Sequence, residues 1–166
     1  MKHILSLCFV SLMLLIAQAQ TTTIILLRHA EKDTSQQFNM AKADPPLTEA
    51  GQARAKQLLL VLKAYQPNVF YTTNFIRTKA TIQPLAQKFN KDVKLYDPSK
   101  LKEFTTEIQA LKGKTIVVAG HSNTTPALVN LLLKQDKYQS LPDNVYNKFW
   151  IVTITDGVAN EKVVEY

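Results

Sequence analysis

The sequence predicts a three-layer α/β/α sandwich, with a mostly parallel central sheet and an antiparallel hairpin at the sheet edge. Three patterns in the 166 residues indicate this fold. Apolar runs alternate with segments of helical periodicity, which is typical of α/β domains. Two of these runs, residues 22–27 and 115–119, are continuously apolar and β-branched, as in strands buried on both faces. The tail holds two further runs separated by Asp156-Gly157, a typical hairpin turn.

Each predicted element has its own signal. The predicted strands cover residues 22–27, 69–72, 93–96, 115–119, 149–155 and 158–164. The predicted helices run from Thr48 to near Tyr65, over residues 77–89 and 99–111, and over a segment whose first turn holds Pro126. Thr48 is a good N-cap, whereas Pro84 must lie in the first turns of its helix or kink it. The polar connection 32–46 is long enough to suggest a functional loop.

The first 19 residues have the composition of a secretory signal peptide. Lys2 precedes a short apolar run over residues 4–17, and residues 17–19 read AQA, a small-residue cleavage signal. We predict cleavage after Ala19, which leaves a single domain, residues 20–166, in the periplasm or outside the cell. The alternative is an uncleaved N-terminal anchor. The run is short for a bilayer span and no longer one follows, so no stable membrane anchor is expected.

Composition excludes several classes of function. Cleavage removes Cys8, the only cysteine, and with it disulfides, cysteine-phosphatase chemistry and Cys-ligated zinc. The four glycines form neither GxGxxG nor GxxxxGK, so these nucleotide-binding loops are absent. The formal charge falls from +7 to +6 when Lys2 is lost. The lysines are scattered and no aromatic residues interleave with them, which predicts no nucleic-acid partner.

Two histidines remain after cleavage, and they occupy equivalent positions. His29 follows the first apolar strand and His121 follows the fourth. Ligands of open α/β sheets bind beyond the carboxyl ends of the strands. If the two strands are parallel neighbours, both imidazoles project into one crevice. The alternative is two unrelated structural histidines.

The rarity of arginine sharpens this interpretation. Only Arg28, Arg54 and Arg77 accompany 17 lysines, so arginine is used where a planar fork that grips phosphate or carboxylate matters. Arg28 adjoins His29, and Arg77 follows the second strand near a helix N-terminus. Arg54 lies within a helix and is assigned a surface or packing role. Two guanidinium groups and two imidazoles at strand ends predict a cavity for a phosphoryl group.

Such a cavity tunes the chemistry of its histidines. Neighbouring positive charge disfavours the protonated imidazole, so His29 would stay neutral and nucleophilic. It would attack phosphorus in line while the arginines hold the phosphoryl oxygens. The phosphohistidine formed would then be hydrolysed by water, with His121 stabilising the group in transfer.

Rival chemistries fit less well. Two histidines and scattered carboxylates are too few for a zinc site, which needs at least three good ligands. Residues 120–124 (GHSNT) lack the second glycine of a GxSxG nucleophile elbow, and no histidine follows His121 to complete that hydrolase order.

Four segments resemble motifs of the histidine phosphatase superfamily, the phosphoglycerate mutase-like group. Residues 27–32 (LRHAEK) resemble its RHG/RHA signature, and residues 46–55 (PLTEAGQARA) resemble its LTxxGxxQA segment. Residues 71–81 (YTTNFIRTKAT) resemble SSPLxRAxQTA, and residues 117–124 (VVAGHSNT) resemble the second-histidine motif in its GHSN form. The four matches occur in the order found in the family and span about residues 24–133.

The resemblance implies a role for each core residue. It implies His29 as the nucleophile, Arg28 and Arg77 as phosphate ligands and His121 as the second histidine of the site. It also implies that neither a metal nor an organic cofactor is needed. The expected partner is a small phosphorylated substrate. Thr48 and Gly51 are interpreted as structural.

The general acid is the role that the resemblance transfers least well. Mutases and many phosphatases of the family supply a carboxylic acid that protonates the leaving group. Asp97, just after the third strand, is the candidate for this role, and Glu31 and Glu103 are its rivals. Without a placed acid, good leaving groups such as phosphoramidates would be favoured over alkyl phosphates.

The sequence therefore predicts a phosphatase that works through a phosphohistidine on His29. The alternative from another class is a non-catalytic module that binds phosphate or another anion in the same cavity.

Overall fold

A computed structural model describes residues 20–35 and 44–166. The proposed signal peptide and residues 36–43 of the long polar loop lie outside the described residues. The helices are α1 (Glu49–Leu62), α2 (Ile76–Lys88), α3 (Leu101–Ala110) and α4 (Thr124–Leu133). The strands are β1 (Thr22–Arg28), β2 (Val69–Thr72), β3 (Val93–Leu95), β4 (Thr115–Gly120), β5 (Lys148–Thr155) and β6 (Val158–Glu165).

The strands form one six-stranded sheet in the order β3-β2-β4-β1-β5-β6. The first four of these are parallel neighbours, whereas β5 runs antiparallel to β1 and pairs with β6 as a hairpin. The predicted fold class, a mostly parallel sheet with an antiparallel edge hairpin, is confirmed. The hairpin turns at Asp156 and Gly157, both with positive φ.

Alternate residues of the central strands build two cores, one on each face of the sheet. On one face, Ile24 and Leu26 of β1 pack with residues of α3 and α4. On the other face, Ile25 and Leu27 pack with residues of α1 and α2. The continuous apolar run of β1 is therefore explained by burial on both faces.

Some predicted boundaries differ from those observed. The first helix is capped by Thr48, as expected, but its last turn is a 3₁₀ helix, Lys63–Tyr65. Tyr96 lies just beyond β3, although its N–H donates to the carbonyl of Thr72 at 3.0 Å. The third helix begins at Leu101 rather than Ser99, because Ser99 is engaged by Asp97 in the turn that precedes it.

Of the two predictions for Pro84, a place in the first turns of its helix or a kink, the first is wrong. Because α2 begins at Ile76, Pro84 is its ninth residue and lies in the helix interior rather than in its first turns. Proline cannot donate to the carbonyl of Ala80, four residues earlier. The buried residues Thr78, Thr81, Ile82 and Leu85 hold the helix against the sheet on both sides of that missing bond.

Within residues 20–35 and 44–166, no helix has the length and apolar character needed to cross a membrane.

Candidate active site

The two histidines meet at the carboxyl ends of adjacent parallel strands. Arg28 of β1 pairs in register with Gly120 of β4, so His29 and His121 are each the first residue beyond the pair. The N–H of His29 donates to the carbonyl of Gly120 at 2.9 Å. The ring centroids of the two imidazoles are 5.6 Å apart, with an angle of 69° between the rings.

A cavity of about 480 Å³ opens between these rings. Arg28, His29, Arg77 and His121 all line it, although they come from three separate segments of the chain. Its wall also contains Lys32, Phe75, Pro98, Ser99, Ser122, Asn123, Thr124 and Asp143. The four residues that the sequence assigned to an anion site are thus brought around one space.

The tautomer of His29 is determined by its neighbour. Nδ1 lies 2.8 Å from the carbonyl oxygen of Ala30, and a carbonyl can only accept, so Nδ1 carries the proton. The lone pair of the neutral ring is then on Nε2. The pKa of His29 is lowered to about 3, mainly by burial; the positive charges of Arg77 and Arg28 contribute to the lowering, and the hydrogen bond to Ala30 opposes it. His29 is therefore a neutral imidazole with a nucleophilic nitrogen at neutral pH.

His121 is also neutral at neutral pH. Its pKa is lowered to about 4, mainly by burial and in smaller part by the positive charges of Arg77, Arg28 and Lys32. Its Nε2 lies 3.0 Å from the hydroxyl of Thr73. The edge of the Phe75 ring meets it at a centroid distance of 5.0 Å.

Arg28 is held by the segment that precedes β5. Its Nη1 donates to the carbonyls of Pro142, Asp143 and Val145 at 2.9, 3.1 and 3.0 Å. Its guanidinium carbon lies 4.1 Å from the centre of the Tyr146 ring. The side chain is almost completely buried, so this segment fixes the fork beside His29.

Arg77 is oriented by an acid on the long loop. Its Nη1 lies 3.3 Å from Oδ1 of Asp44. The same carboxylate accepts from the N–H of Ile76 at 2.8 and 2.9 Å, at the N-terminus of α2. The guanidinium carbon lies 4.4 Å from the centre of the Phe75 ring. Asp44 thus neutralises the helix terminus and the arginine together.

The three candidate acids lie in different surroundings. Asp97 is exposed and does not line the cavity; its Oδ1 accepts from the N–H and hydroxyl of Ser99 at 2.9 and 2.7 Å. These bonds hold the pKa of Asp97 below its usual value.

Glu31 accepts three bonds from Arg54 at 2.6–2.9 Å. Although burial alone would raise the pKa of Glu31, these bonds outweigh it and lower the value. Glu103 is exposed on α3.

Sequence reasoning missed four residues that shape the site. Asp44, Asp143 and Tyr146 contact the arginines, and Thr73 contacts His121. Asp143 lines the cavity with its carboxylate exposed, 3.8 Å from Nη2 of Arg28. These four residues lie in loops, so their positions in the sequence follow no periodic pattern that could have identified them. Thr73 had the one available signal, since it directly follows the buried strand that leads to Arg77.

Two glycines allow the loops around the site to approach closely. A Cβ at Gly51 would lie 2.3 Å from the carbonyl oxygen of Glu31, two residues after His29. A Cβ at Gly120 would lie 2.7 Å from the hydroxyl of Tyr96 and 2.8 Å from that of Thr125. Gly51 therefore requires glycine, because the atoms it meets are backbone, whereas a side chain at position 120 would force these hydroxyls to move.

No group of three His, Cys, Asp or Glu side chains that could hold a metal ion occurs in the described ranges. Arg28, Arg77 and Lys32 supply the positive charge of the cavity wall. A second cavity of about 510 Å³ lies at the other end of β1, beside Thr22. None of Arg28, His29, Arg77 and His121 lines it.

The chain is similar to a known protein family and to a curated protein. Residues 24–107 match the model of the histidine phosphatase superfamily (branch 1). A curated relative, the 8-oxo-(d)GTP phosphatase of Mycolicibacterium smegmatis, is 22% identical over 151 residues, which cover 82% of this chain. The chain spans about half the length of that relative, 46%.

Solved structures show the same fold. The protein histidine phosphatase SixA in complex with tungstate superimposes with a TM-score of 0.69 at 16% identity, covering 86% of this chain and 96% of that one. Phosphoserine phosphatase from Entamoeba histolytica, in complex with 3-phosphoglyceric acid, superimposes with a TM-score of 0.63 at 17% identity, covering 87% and 97%. With the family match over half of the sequence, the chain belongs to the histidine phosphatase superfamily, branch 1.

Proposed function

We propose that this protein is a phosphatase that transfers a phosphoryl group from its substrate to Nε2 of His29 and then to water. The observation that carries the proposal is the convergence of two neutral imidazoles, 5.6 Å apart, and two guanidinium groups around one cavity. His29 supplies the lone pair, because its Nδ1 proton is engaged by Ala30.

The arginines would stabilise the charge of the group in transfer. In the described part of the chain, the Nε atoms of Arg28 and Arg77 are buried and have no hydrogen-bond partner. Buried donors without a partner are rare and ask for an explanation. Phosphoryl oxygens would accept from these forks, and fixed donors cost no reorganisation during the reaction.

The surroundings of the carboxylates favour substrates with good leaving groups. The Asp97 carboxylate does not line the cavity and accepts from Ser99, and Glu31 is held by Arg54. Phosphoramidates and aryl phosphates need less help from an acid than alkyl phosphates do. We therefore propose a small phosphorylated compound of this kind, or a phosphohistidine, as the substrate; the similar SixA is named a protein histidine phosphatase.

The decisive experiment is trapping of the intermediate. Exposure to an aryl phosphate should label the protein with phosphate in an acid-labile, alkali-stable form. His29→Ala should abolish both label and turnover, whereas His121→Gln keeps the nucleophile and should be labelled slowly. Turnover that survives in His29→Ala would refute the assignment.

Leaving-group dependence tests the acid. We expect Asp97→Asn to hydrolyse aryl and alkyl phosphates at the same relative rates as the unsubstituted protein. A selective loss of the alkyl phosphate activity would instead establish Asp97 as the acid. Asp143→Asn makes the same change at a carboxylate of the cavity wall and is the matched comparison for Asp97→Asn.

A second candidate is a non-catalytic anion-binding module. It is favoured by the engagement of Arg28 Nη1 with three backbone carbonyls, which leaves fewer donors for catalysis. Such a module would bind phosphate or vanadate but turn over nothing in a broad phosphoester panel.

We further propose that the protein is exported and that residues 1–19 are removed. Lys2, the short apolar run and the AQA sequence support this. N-terminal sequencing of the protein recovered from the periplasm or medium should begin at Gln20. A chain that begins at Met1 would contradict cleavage.

A further inference from the structure

The hydroxyls of Thr73 and Thr78 form a buried chain that ends on His121. Both residues are fully buried. The Thr78 hydroxyl lies 3.0 Å from the carbonyls of Thr73 and Phe75, which can only accept, so its proton is used there. The Thr73 hydroxyl then donates to Oγ1 of Thr78 at 3.0 Å.

Proton accounting along this chain determines the tautomer of His121. A hydroxyl has one proton, and that of Thr73 is already donated to Thr78. The contact of 3.0 Å between Thr73 Oγ1 and His121 Nε2 is therefore donated by the ring. The proton of the neutral imidazole is on Nε2, and its lone pair is on Nδ1. This is the opposite of His29, which carries its proton on Nδ1.

The lone pair on Nδ1 decides how His121 meets a phosphoryl group. With Nε2 committed to Thr73, Nδ1 is the polar ring atom left for a ligand in the cavity. A fully ionised phosphoryl group offers only acceptors, so it would repel this lone pair. A phosphoryl group that carries one proton would donate it to Nδ1.

We infer that Thr73 and Thr78 are positioning residues that hold His121 as the Nε2–H tautomer, so that Nδ1 accepts the substrate's phosphoryl proton and delivers it to the leaving group. This inference rests on the proposed phosphatase function. It supplies the leaving-group proton without a carboxylic acid.

The step balances in atoms and charge. His29 Nε2 forms a bond to phosphorus of the substrate monoanion while the bond from phosphorus to the leaving atom breaks. The proton of the phosphoryl group moves through His121 Nδ1 to that leaving atom. The products are the neutral leaving group and a phosphohistidine whose net charge is −1, which is the charge of the substrate monoanion.

The surroundings of His121 keep the ring neutral before substrate binds. Arg28 and His29 face it from the end of β1, Lys32 from the following loop and Arg77 from α2, and Asp44 is the opposing negative charge. Because burial and the excess of positive charge both disfavour the imidazolium form, the ring carries only its Nε2 proton at neutral pH.

Nitrogen NMR of the imidazole rings tests the tautomer directly in the phosphate-free protein. We expect the proton of His121 on Nε2 and that of His29 on Nδ1, with His29→Gln used to assign the signals. A proton on Nδ1 of His121 would overturn the inference. This readout needs no turnover, so it is separate from failure of the proposed function, which loss of the His29 label would reveal.

Variants of Thr73 test the consequence. Thr73→Val keeps the shape but removes the hydroxyl, and should give mixed tautomers and a kcat lowered about tenfold or more, with KM little changed. The loss should be larger for alkyl than for aryl phosphates. Thr73→Ser should restore both the tautomer and kcat.

Thr105→Val is the matched control, because it removes another buried hydroxyl that bonds the carbonyl of Leu101 in α3. It should leave the His121 signals and kcat unchanged. A folded Thr73→Val with the original tautomer and kcat would refute the positioning role. If that variant does not fold, the tautomer of the unsubstituted protein and the kcat of Thr73→Ser decide the question.

Discussion

At the scale of single residues, the site depends on groups whose ordinary protonation or hydration has been altered by burial. His29 and Arg28 are both 3% exposed, yet one is a base and the other a cation. The fold accommodates them differently: the histidine stays neutral, whereas the charge of the arginine is met by three carbonyls and an aromatic ring. Substitutions of these residues should therefore have separable effects on stability and on anion binding.

Arg28→Lys should weaken both properties. An ammonium group cannot reach three carbonyls as the guanidinium does, so buried acceptors would lose their donors. We expect the free energy of unfolding to fall by about 2–3 kcal/mol, and phosphate affinity to fall with it. Urea denaturation and phosphate titration measure the two effects.

Arg54→Lys is the matched control for that change. Arg54 is paired with Glu31 and partly exposed, so its loss should cost about 1 kcal/mol or less and leave phosphate affinity unchanged. Equal effects of the two substitutions would contradict the special placement of Arg28.

The lowered pKa of His29 predicts a dependence of stability on pH. The unfolded ring binds a proton below about pH 6.5, whereas the folded ring does so only near its pKa of about 3. The folded state therefore loses stability as the pH falls from about 6.5 to about 3, and gains nothing above about 6.5. Near pH 4.5 the loss should be about 2–3 kcal/mol.

This prediction is tested by comparing how much unfolding free energy two proteins lose on acidification. Urea denaturation of the unsubstituted protein and of His29→Gln, at neutral pH and near pH 4.5, isolates the contribution of this ring from that of the carboxylates. His29→Gln should lose less stability on acidification. Parallel behaviour of the two proteins would show that burial does not suppress protonation of His29.

At the scale of elements, helices on one side of the sheet hold the loops of the site. The hydroxyl of Thr81 in α2 accepts from the N–H of Ala30 at 2.9 Å and donates to the carbonyl of Arg77 at 2.7 Å. The first turn of α1 presses Gly51 against the backbone of Glu31. Both contacts act on the turn that fixes the tautomer of His29.

Gly51→Ala should disturb that turn. The added methyl group would overlap the Glu31 carbonyl, whose atoms are backbone and cannot rotate away. We expect a loss of about 1–3 kcal/mol in unfolding free energy and a slower rate of phosphohistidine formation. Gln52→Ala, on the exposed side of the same helix, should change neither. An unaffected labelling rate in Gly51→Ala would contradict the coupling.

The elements were more predictable than the contacts between them. The apolar runs of β1 and β4 identify buried strands directly, and the ends of those strands place His29 and His121. A predicted helix boundary differs from the observed one where a side chain takes up a backbone N–H, as the Asp97 carboxylate does at Ser99 before α3. Pro84 lies inside α2 because tertiary packing outweighs the local cost of proline. The three hydrogen bonds from Arg28 to backbone carbonyls could not be predicted, since every residue has a carbonyl and the sequence does not mark which ones will accept.

At the scale of the whole molecule, charge is concentrated at one end of the sheet. Arg28, Arg77 and Lys32 line the cavity, and Asp143 is the only acidic residue of the described part of its wall. This imbalance makes bound oxyanions stabilising, because a ligand that binds only the folded state adds its binding free energy to that of folding.

Phosphate or vanadate should therefore raise the thermal midpoint of unfolding. At about a hundred times the dissociation constant the gain is about 2.7 kcal/mol, which corresponds to several degrees for a chain of this size. Added salt should reduce the gain by screening, and chloride at equal ionic strength is the control. No shift with either oxyanion would argue against an anion site.

The pairing of Arg28 with Gly120 has a consequence for how such a protein can change its substrate. His29 and His121 directly follow a pair of residues on adjacent strands. The distance between their rings therefore follows from the spacing of neighbouring strands, which is similar in every sheet. Natural variation in the loops can widen or narrow the entrance without altering that distance. For the proposed phosphoryl transfer, changes in these loops would alter which substrates enter the cavity, while the spacing of the two histidines stays constant.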